Sequence, residues 1–596
     1  MPDMGNMATQ YPEARVLIIM TGGTICMKSS PEGLVPARGF LKEGMAPRPS
    51  FNDGSNPDPL PVMIDDNTKE YLPSLRTPPS TYSRHVRYTL HEFPILLDSS
   101  SISSAGWTQI ALTIKRNYSL FDGFVVLHGT DSLAYSSSAL SFMLSHLGKP
   151  VILTGSQASI FALQSDATDN LLGSLIIAGT FMIPEVCLFF HHRLYRGNRC
   201  TKISATSFDA FASPNCEPLA KSSALGAEVN WNLIRRPRTI ARFDVQTNLD
   251  TAHVACLRIF PGIKPEMLDS VLHVPNLRGL ILETFGAGNA PTGEDGSMTR
   301  VIKSAVERGI VIVNVSQCQS GFVSPLYAPG AALGQAGVVF GHDLTTEAAL
   351  TKLSYLLALP GLSYEDITTQ MQLSLRGEMT ELSSTTFSHP GSDTPVIANH
   401  QTAFTALGHA ITKGDVEAVV MLLDADSHGL LNAKDYAENT ALHLAAVGPD
   451  SKVLRELLKR GASVHVRNLA GNTPLYLAVK VGNSEIVRLL EESGALLHVE
   501  ELERVKRLGG VDGHEVDEQG VGEVDGQAVG GQEGAIEQVL GTLGTNGDGH
   551  AGDHANGLAN GHLSDAANGN GHGHVVTPPN GLAANGHAHL NGTATS

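Results

Sequence analysis

The sequence predicts an α/β fold, and two observations carry that expectation. The first is a set of short, unbroken apolar runs, each closed by a turn of small polar residues: Val16-Leu-Ile-Ile-Met20 before Thr21-Gly-Gly-Thr24, Gly123-Phe-Val-Val-Leu127 before His128-Gly-Thr-Asp131, and Pro150-Val-Ile-Leu-Thr154 before Gly155-Ser-Gln157. Runs of this length bounded by turns read as strands covered on both faces, the usual state in a parallel sheet with crossover helices. The second is that further runs of the same kind, at 185–190, 279–286 and 309–315, are surrounded by helical apolar spacing.

Taken in order, the run at 16–20 is the first strand, and its glycine turn delivers the hydroxyl of Thr24 just past the strand's carboxyl end, where ligands bind in open α/β sheets. Leu97-Asp-Ser-Ser100 precedes an apolar helical pattern from Trp107, so the serines also suit a helix start. The runs at 123–127 and 150–154 bring two more polar turns to the same edge. Downstream, Arg196-Gly-Asn-Arg-Cys-Thr-Lys202 supplies a lysine. These turns together carry a hydroxyl nucleophile, a second hydroxyl, a carboxylate and an amine. Amide hydrolysis needs a nucleophile, a route for its proton and donors for the oxyanion, and a desolvated lysine oriented by a carboxylate can serve the proton route.

In that order, Thr21-Gly-Gly-Thr24, His128-Gly-Thr-Asp131 and Arg196-Gly-Asn-Arg-Cys-Thr-Lys202 resemble the L-asparaginase family, and within it the cytoplasmic type I branch. The likeness runs over about residues 14–380 and includes Phe208-Asp-Ala-Phe-Ala-Ser-Pro-Asn215 and Leu375-Arg-Gly-Glu378. It implies hydrolysis of L-asparagine to aspartate and ammonia through an acyl-enzyme on Thr24, with Thr130, Asp131 and Lys202 as the second catalytic cluster. It places Asp98, Ser99, Ser100, Gly129, Thr130 and Asp131 around the substrate, and Tyr327 near the nucleophile. No cofactor and no metal are implied. Vertebrate members with this layout are also described as lysophospholipases, so a lysophospholipase or glutaminase activity of the same site, or a degenerate core serving as a scaffold, are the alternatives. Retention of Thr24, Thr130, Asp131 and Lys202 favours the enzyme, since a fold alone does not need all four.

Four positions depart from the family pattern, and one of them, Ser132 for the usual threonine after the Thr-Asp pair, keeps the hydroxyl. Leu34 stands where bacterial relatives carry a tyrosine on a mobile loop, Cys26 replaces a common glycine beside the site, where its side chain threatens to crowd the loop, and Glu283 lies where bacterial type I enzymes carry an arginine tied to an allosteric asparagine site.

The rest of the chain is organised differently. Thr440-Ala-Leu-His-Leu-Ala-Ala446 and Thr473-Pro-Leu-Tyr-Leu-Ala-Val479 lie 33 residues apart, with a weaker unit at Thr405. They resemble ankyrin repeats, with His409 and His443 at the signature position, and imply an all-α module that binds protein partners. From Val499 onward, 14 acidic residues face 3 basic ones, a net of −11, in a Gly/Asn/His-rich composition that cannot bury enough apolar surface to fold. The expected organisation is therefore an N-terminal domain over 14–225 with the site, a connector over 226–251, a C-terminal domain over 252–380, a linker over 381–399, ankyrin repeats over 400–498 and a disordered tail over 508–596.

The 596 residues carry a net charge of −18, which argues against nucleic acid, and no run approaches a membrane span of about 20 apolar residues. The amino terminus has no export signal pattern, and the six cysteines are scattered without a Cys-x-x-Cys pair, which speaks against structural disulfides and a zinc site. A cytoplasmic protein is expected, and the family resemblance implies a homo-oligomer, dimer or tetramer.

Overall fold

The computed structural model describes residues 12–31, 33–324, 328–381, 400–425 and 429–508, together with 534, 536, 537, 539 and 540. Strand β1 (Glu13–Gly22) is central: β2 (His85–Leu97) and β3 (Gly123–Leu127) pair parallel on either side of it, and β4 (Val151–Thr154) and β5 (Val186–Phe190) continue the parallel run beyond β3. Antiparallel β6 (Arg193–Arg196) and the hairpin of Ala220–Ser223 with Gly226–Val229 close one edge, and Ser74–Arg76 closes the other, giving nine strands.

β1 is apolar without alternation because both of its faces are covered. Leu17 and Ile19 belong to one core with Trp107 and Ile110 of helix α1 (Ser104–Asn117) and Leu140 of α2 (Leu133–Met143). Val16, Ile18 and Met20 belong to the other, with Leu171 and Leu175 of α3 (Ala167–Thr180). Full burial of side chains of this size is worth roughly 1.5–3 kcal/mol each, so polar substitution on either face is costly.

A second, four-stranded parallel sheet follows: β7 (Val254–Arg258), β8 (Gly279–Thr284), β9 (Val311–Ser316) and β10 (Val339–Phe340). Helix α4 (Thr346–Ala358) covers it and reaches back to α2, where Ser138 and Thr351 hydroxyls meet at 2.7 Å and the Phe142 and Tyr355 rings stack at 5.8 Å. All six runs read as strands are strands. The stretch expected as a connector has little regular structure, but its first residues, Gly226–Val229, belong to the large sheet through their hairpin.

From His400 the chain is helical. Thr473 caps Pro474–Val481 by accepting from the Tyr476 amide, and Thr440 and His443 form the reciprocal cap of Ala441–Ala446. His443 also reaches the Asn472 carbonyl at 3.0 Å, the structural role expected of that signature position, whereas His409 is exposed. Helix Val499–Leu508 extends the helical stack past the boundary expected at 498. Within the tail, Ile536 and Val539 are buried in the ankyrin core, with Leu540 packed against it. Their i, i+3, i+4 spacing gives a short apolar stripe that the composition of the surrounding tail conceals. The expected linker beyond Glu381 and the remainder of the tail lie outside the described residues. Among the described residues, no helix is long and apolar enough to cross a membrane.

The ankyrin stack packs on the amino-terminal edge of the large sheet. Arg467 and His498 approach the Asp122 carboxylate at 3.8 Å, Arg15 pairs with Glu500 at 3.1 Å, and the His465 ring meets Tyr118 edge-on at 5.8 Å. Burial and the neighbouring Arg467 and Arg15 push His498 down to about 4, while the surrounding cations hold Asp122 well below the usual carboxylate range.

Candidate active site

Four adjacent parallel strands, β2-β1-β3-β4, end side by side, and each end carries one piece of the site. Met20 is opposite Leu127, Leu127 is opposite Thr154, and Gly22 is opposite Leu97, so the turns after these strands converge. The convergence is tight. Gly23 has φ +86°, and a Cβ built there would lie 2.4 Å from the Gly129 amide nitrogen. A Cβ on Gly129 would in turn strike the Ser99 hydroxyl at 2.6 Å. Glycine at both positions lets the nucleophile turn touch the His128-Gly129 turn backbone to backbone, and lets the latter seat against the Ser99 side chain.

Thr24 opens a single 3₁₀ turn, Thr24–Cys26, and is half-buried. Cys26 does not crowd this loop. Its side chain is fully buried and its Sγ donates to the Gly23 carbonyl at 3.2 Å, which braces the turn, and burial pushes the thiol up to about 12. Leu34 sits, half exposed, on the hairpin of Met27–Ser30 with Gly33–Pro36 that follows.

Thr130, Asp131 and Lys202 come together as expected. The Lys202 ammonium donates to Thr130 Oγ1 at 2.9 Å and to Asp131 Oδ1 at 2.8 Å. Thr130 is 6% exposed, whereas the Asp131 side chain is open to solvent at 65%. A three-way contact of ammonium, hydroxyl and carboxylate can hold a proton close to a reacting oxygen. Lys202 is delivered by the Arg196-to-Lys202 segment, whose arginines are anchors: Arg196 is bidentate to Glu185 at 2.6 and 3.2 Å, and Arg199 binds Asp343 at 2.9 Å and the Glu378 carbonyl at 2.8 Å. Thr201 hydrogen-bonds Glu347 of α4 at 2.8 Å, so the second sheet's helix also holds this segment.

Asp98 accepts from the Ser100 amide at 2.9 Å, and hydrogen bonds from Ser100 hold its carboxyl below the usual range. Ser99 accepts from the Asp131 amide at 3.2 Å, and Ser132 donates to the Ser99 carbonyl at 2.5 Å. The residues read as a helix start are thus a short 3₁₀ turn, Ser99–Ser101, before α1, and Ser99 is hydrogen-bonded to the Asp131–Ser132 turn. Thr24 is joined to this cluster through the Gly23–Gly129 backbone contact; among the described residues, none hydrogen-bonds its hydroxyl. Tyr327 lies outside the described residues.

Two supports were not singled out by the sequence. His128 is fully buried between the Gly129 carbonyl, 2.8 Å from Nδ1, and the Ser136 hydroxyl, 3.0 Å from Nε2, and the Trp107 indole donates to the same Ser136 oxygen at 2.8 Å. A carbonyl can only accept, so His128 donates from Nδ1, and in the neutral ring Nε2 accepts the Ser136 proton. Burial lowers its pKa, in keeping with the neutral ring. Gln157, the last residue of the turn after β4, accepts from the Thr130 hydroxyl at 3.2 Å.

Beyond Thr201 a polar cavity of about 330 Å³ lies between the two sheet domains, lined by Tyr135, Asn215, Glu283, Gln317 and Glu347 among others. Glu283 is held by Thr346 at 2.7 Å, and burial pushes the Glu347 carboxyl up. Arg258 also lines this wall, 3.7 Å from Glu283.

Comparison with known proteins matches residues 15–235 to the Asparaginase, N-terminal model, 253–371 to the Glutaminase/Asparaginase C-terminal domain, and 386–468 and 407–501 to ankyrin repeats in three copies. A 60 kDa lysophospholipase of Mus musculus is 41% identical over 469 residues, covering 76% of this chain and 79% of its own length. L-asparaginase 1 of Escherichia coli K12 is 41% identical over 374 residues, 61% of this chain and 98% of its own. The crystal structure of L-asparaginase I from Vibrio cholerae superposes with a TM-score of 0.51 at 39% identity, over 62% of this chain and all of that one.

Proposed function

Because the chain belongs to the asparaginase family, with ankyrin repeats following the two enzyme domains, we propose that it hydrolyses L-asparagine to L-aspartate and ammonia. The single observation that supports this most is the Lys202 ammonium bridging Thr130 Oγ1 and Asp131, beside a backbone contact that brings in the Thr24 turn. Thr24 Oγ1 attacks the side-chain amide carbon, the tetrahedral intermediate expels ammonia carrying the threonine's proton, and water hydrolyses the resulting ester to aspartate and free threonine. Lys202 exchanges the proton in both halves, held in place by Thr130 and Asp131. Asp98, with its carboxyl held ionised, receives the substrate's ammonium together with Asp131, and Ser99, Ser100 and Gly129 shape the wall around the substrate carboxylate. Tyr327 remains part of this reading on the family resemblance alone. The protein is read as a cytoplasmic homo-oligomer, dimer or tetramer.

Ammonia release from the full chain, with asparagine and glutamine in parallel, tests the reading. Turnover of asparagine in the wild type should fall by about 10⁴-fold or more in Thr24→Ala, the scale on which loss of a nucleophile acts. Turnover that persists in the variant sinks the assignment of Thr24.

A second reading rests on exposed apolar side chains in the segments around the site residues: Leu34 and Ile95 on strands, Leu163 and Phe208 on loops. These would suit the acyl chain of a lysophospholipid, the substrate that the mouse relative's name states for that protein. Fatty-acid release from lysophosphatidylcholine without ammonia release from asparagine would favour it.

A further inference from the structure

We propose that Gln157 is a positioning residue of the Thr130–Lys202 pair, an inference that rests on the amidohydrolase reading above. Its side-chain amide has only one orientation that fits. Nε2 donates to two carbonyls, Ser207 O at 3.1 Å and Ser204 O at 3.4 Å, both on the loop that follows Lys202. Two acceptors on that side require the NH₂ there, so Oε1 is the atom facing Thr130, and an amide oxygen can only accept. The Thr130 hydroxyl therefore points its hydrogen at Gln157 and its lone pairs at Lys202.

Two consequences follow. Thr130 receives the lysine's hydrogen bond with an oxygen whose own proton is already placed, so its orientation is set before substrate arrives. A preset dipole costs no reorganisation in the reacting complex. The same amide also ties the end of β4 to the loop beyond Lys202, which otherwise leaves the lysine on a two-residue strand, Thr201–Lys202. Gln157 is itself pinned: its backbone amide donates to both Asp166 carboxylate oxygens, at 3.0 and 3.1 Å, and Asp166 also receives the Asn170 side-chain amide at 3.1 Å. A residue with its backbone and both ends of its side chain committed is a strut rather than a solvated surface glutamine.

Two variants test this. Gln157→Met keeps the length and removes both polar ends; kcat for asparagine should fall about 10–100-fold with KM within threefold, because the hydroxyl is misaimed while the substrate's contacts stay. Gln157→Glu, when protonated, reproduces the amide's pattern, with O–H donating to a Ser204 or Ser207 carbonyl and C=O accepting from Thr130. When ionised it faces those carbonyls with negative charge. Its activity relative to wild type should thus be highest near pH 5 and decline towards that of Gln157→Met as pH rises. A purely structural role predicts a parallel loss in both variants at every pH. The proposal is overturned by a Gln157→Met kcat within twofold of wild type, by a loss carried wholly in KM, or by Gln157→Glu no better than Gln157→Met at pH 5.

Hydrogen exchange of residues 203–209, at least tenfold faster in Gln157→Met, reads the same strut without substrate, and unchanged exchange overturns it. If wild-type protein released no ammonia from asparagine, the proposed function would fail while this exchange measurement still decided the role of Gln157.

Discussion

β1 and β3 have two very different ends. Their carboxyl ends finish in glycine turns and small hydroxyls, with a solvent-open Asp131 and backbones in contact. Their amino ends, about 17 Å away along a five-residue strand, begin beside a crowded charge cluster in which Asp122 meets Arg467 and His498 of the ankyrin stack and accepts from the Arg15 amide at 2.8 Å. One end is built for close approach and carries the chemistry proposed above. The other is built for adhesion. A family enzyme that has acquired an ankyrin module thus receives it at the end of the sheet where docking does not obstruct the site.

If the two ends are separate devices, damage at each should have its own signature. Gly23→Ala is the most severe test of the site end. The added methyl collides with Gly129 backbone, which cannot rotate away as a side chain could, and φ +86° is itself unfavourable for alanine. Asparagine turnover should fall by at least about 100-fold, the scale of a 1 Å misplacement. Ankyrin docking, read as resistance of residues beyond 400 to limited proteolysis, should stay as in the wild type.

Asp122→Asn attacks the other end. It keeps the shape but leaves Arg467 without its counter-charge, at a cost of about 3 kcal/mol for a broken buried pair. The chemical-denaturation midpoint should drop while kcat stays within twofold. A kcat that falls in step with stability would break the comparison, because it would mean that the strands transmit strain from dock to site.

The pH dependence sharpens the same point. His498 has its folded pKa depressed to about 4, so between that value and the unfolded value near 6.5 the unfolded chain binds the extra proton. Stability from this group is complete above pH 6.5 and is lost progressively as pH falls towards 4, on the order of 1–2 kcal/mol at pH 5. His498→Gln should make the thermal midpoint less sensitive to a change from pH 7 to pH 5. An identical pH response in the variant would remove His498 from the dock's energetics.

How much of this was legible in the sequence follows the same division. The strands and the residues at their carboxyl ends were readable because full burial removes alternation and because tight turns demand glycine, both local signals. Thr130, Asp131 and Lys202 were found by motif, and the structure brings them together. Gln157 was visible as part of a turn, but its role depends on which carbonyls its amide meets, Ser204 and Ser207, and no local pattern states that. The dock was unreadable for a stronger reason: Asp122 and its partners Arg467 and His498 are separated by more than half the chain, and each looks alone like an ordinary surface charge. Ile536 and Val539 were missed because an average over a long acidic, glycine-rich tail outweighs three apolar residues at helical spacing.

Ser136→Ala is the mildest of these tests and asks how deep the site end extends. The hydroxyl links the Trp107 indole to His128 Nε2, and losing it leaves a buried donor and a buried acceptor unmatched, worth about 1–3 kcal/mol. His128 would still donate from Nδ1 to the Gly129 carbonyl, so the turn that holds Thr130 keeps its direct support. Turnover should therefore fall by less than about tenfold, with KM unchanged and a measurable loss of thermal stability. A larger fall in kcat would show that the His128 ring, held at Nε2 by Ser136, must stay fixed to keep the Gly129–Thr130 peptide in register with Thr24; the boundary between site and scaffold would then lie at α1, a full layer behind the residues proposed to touch substrate.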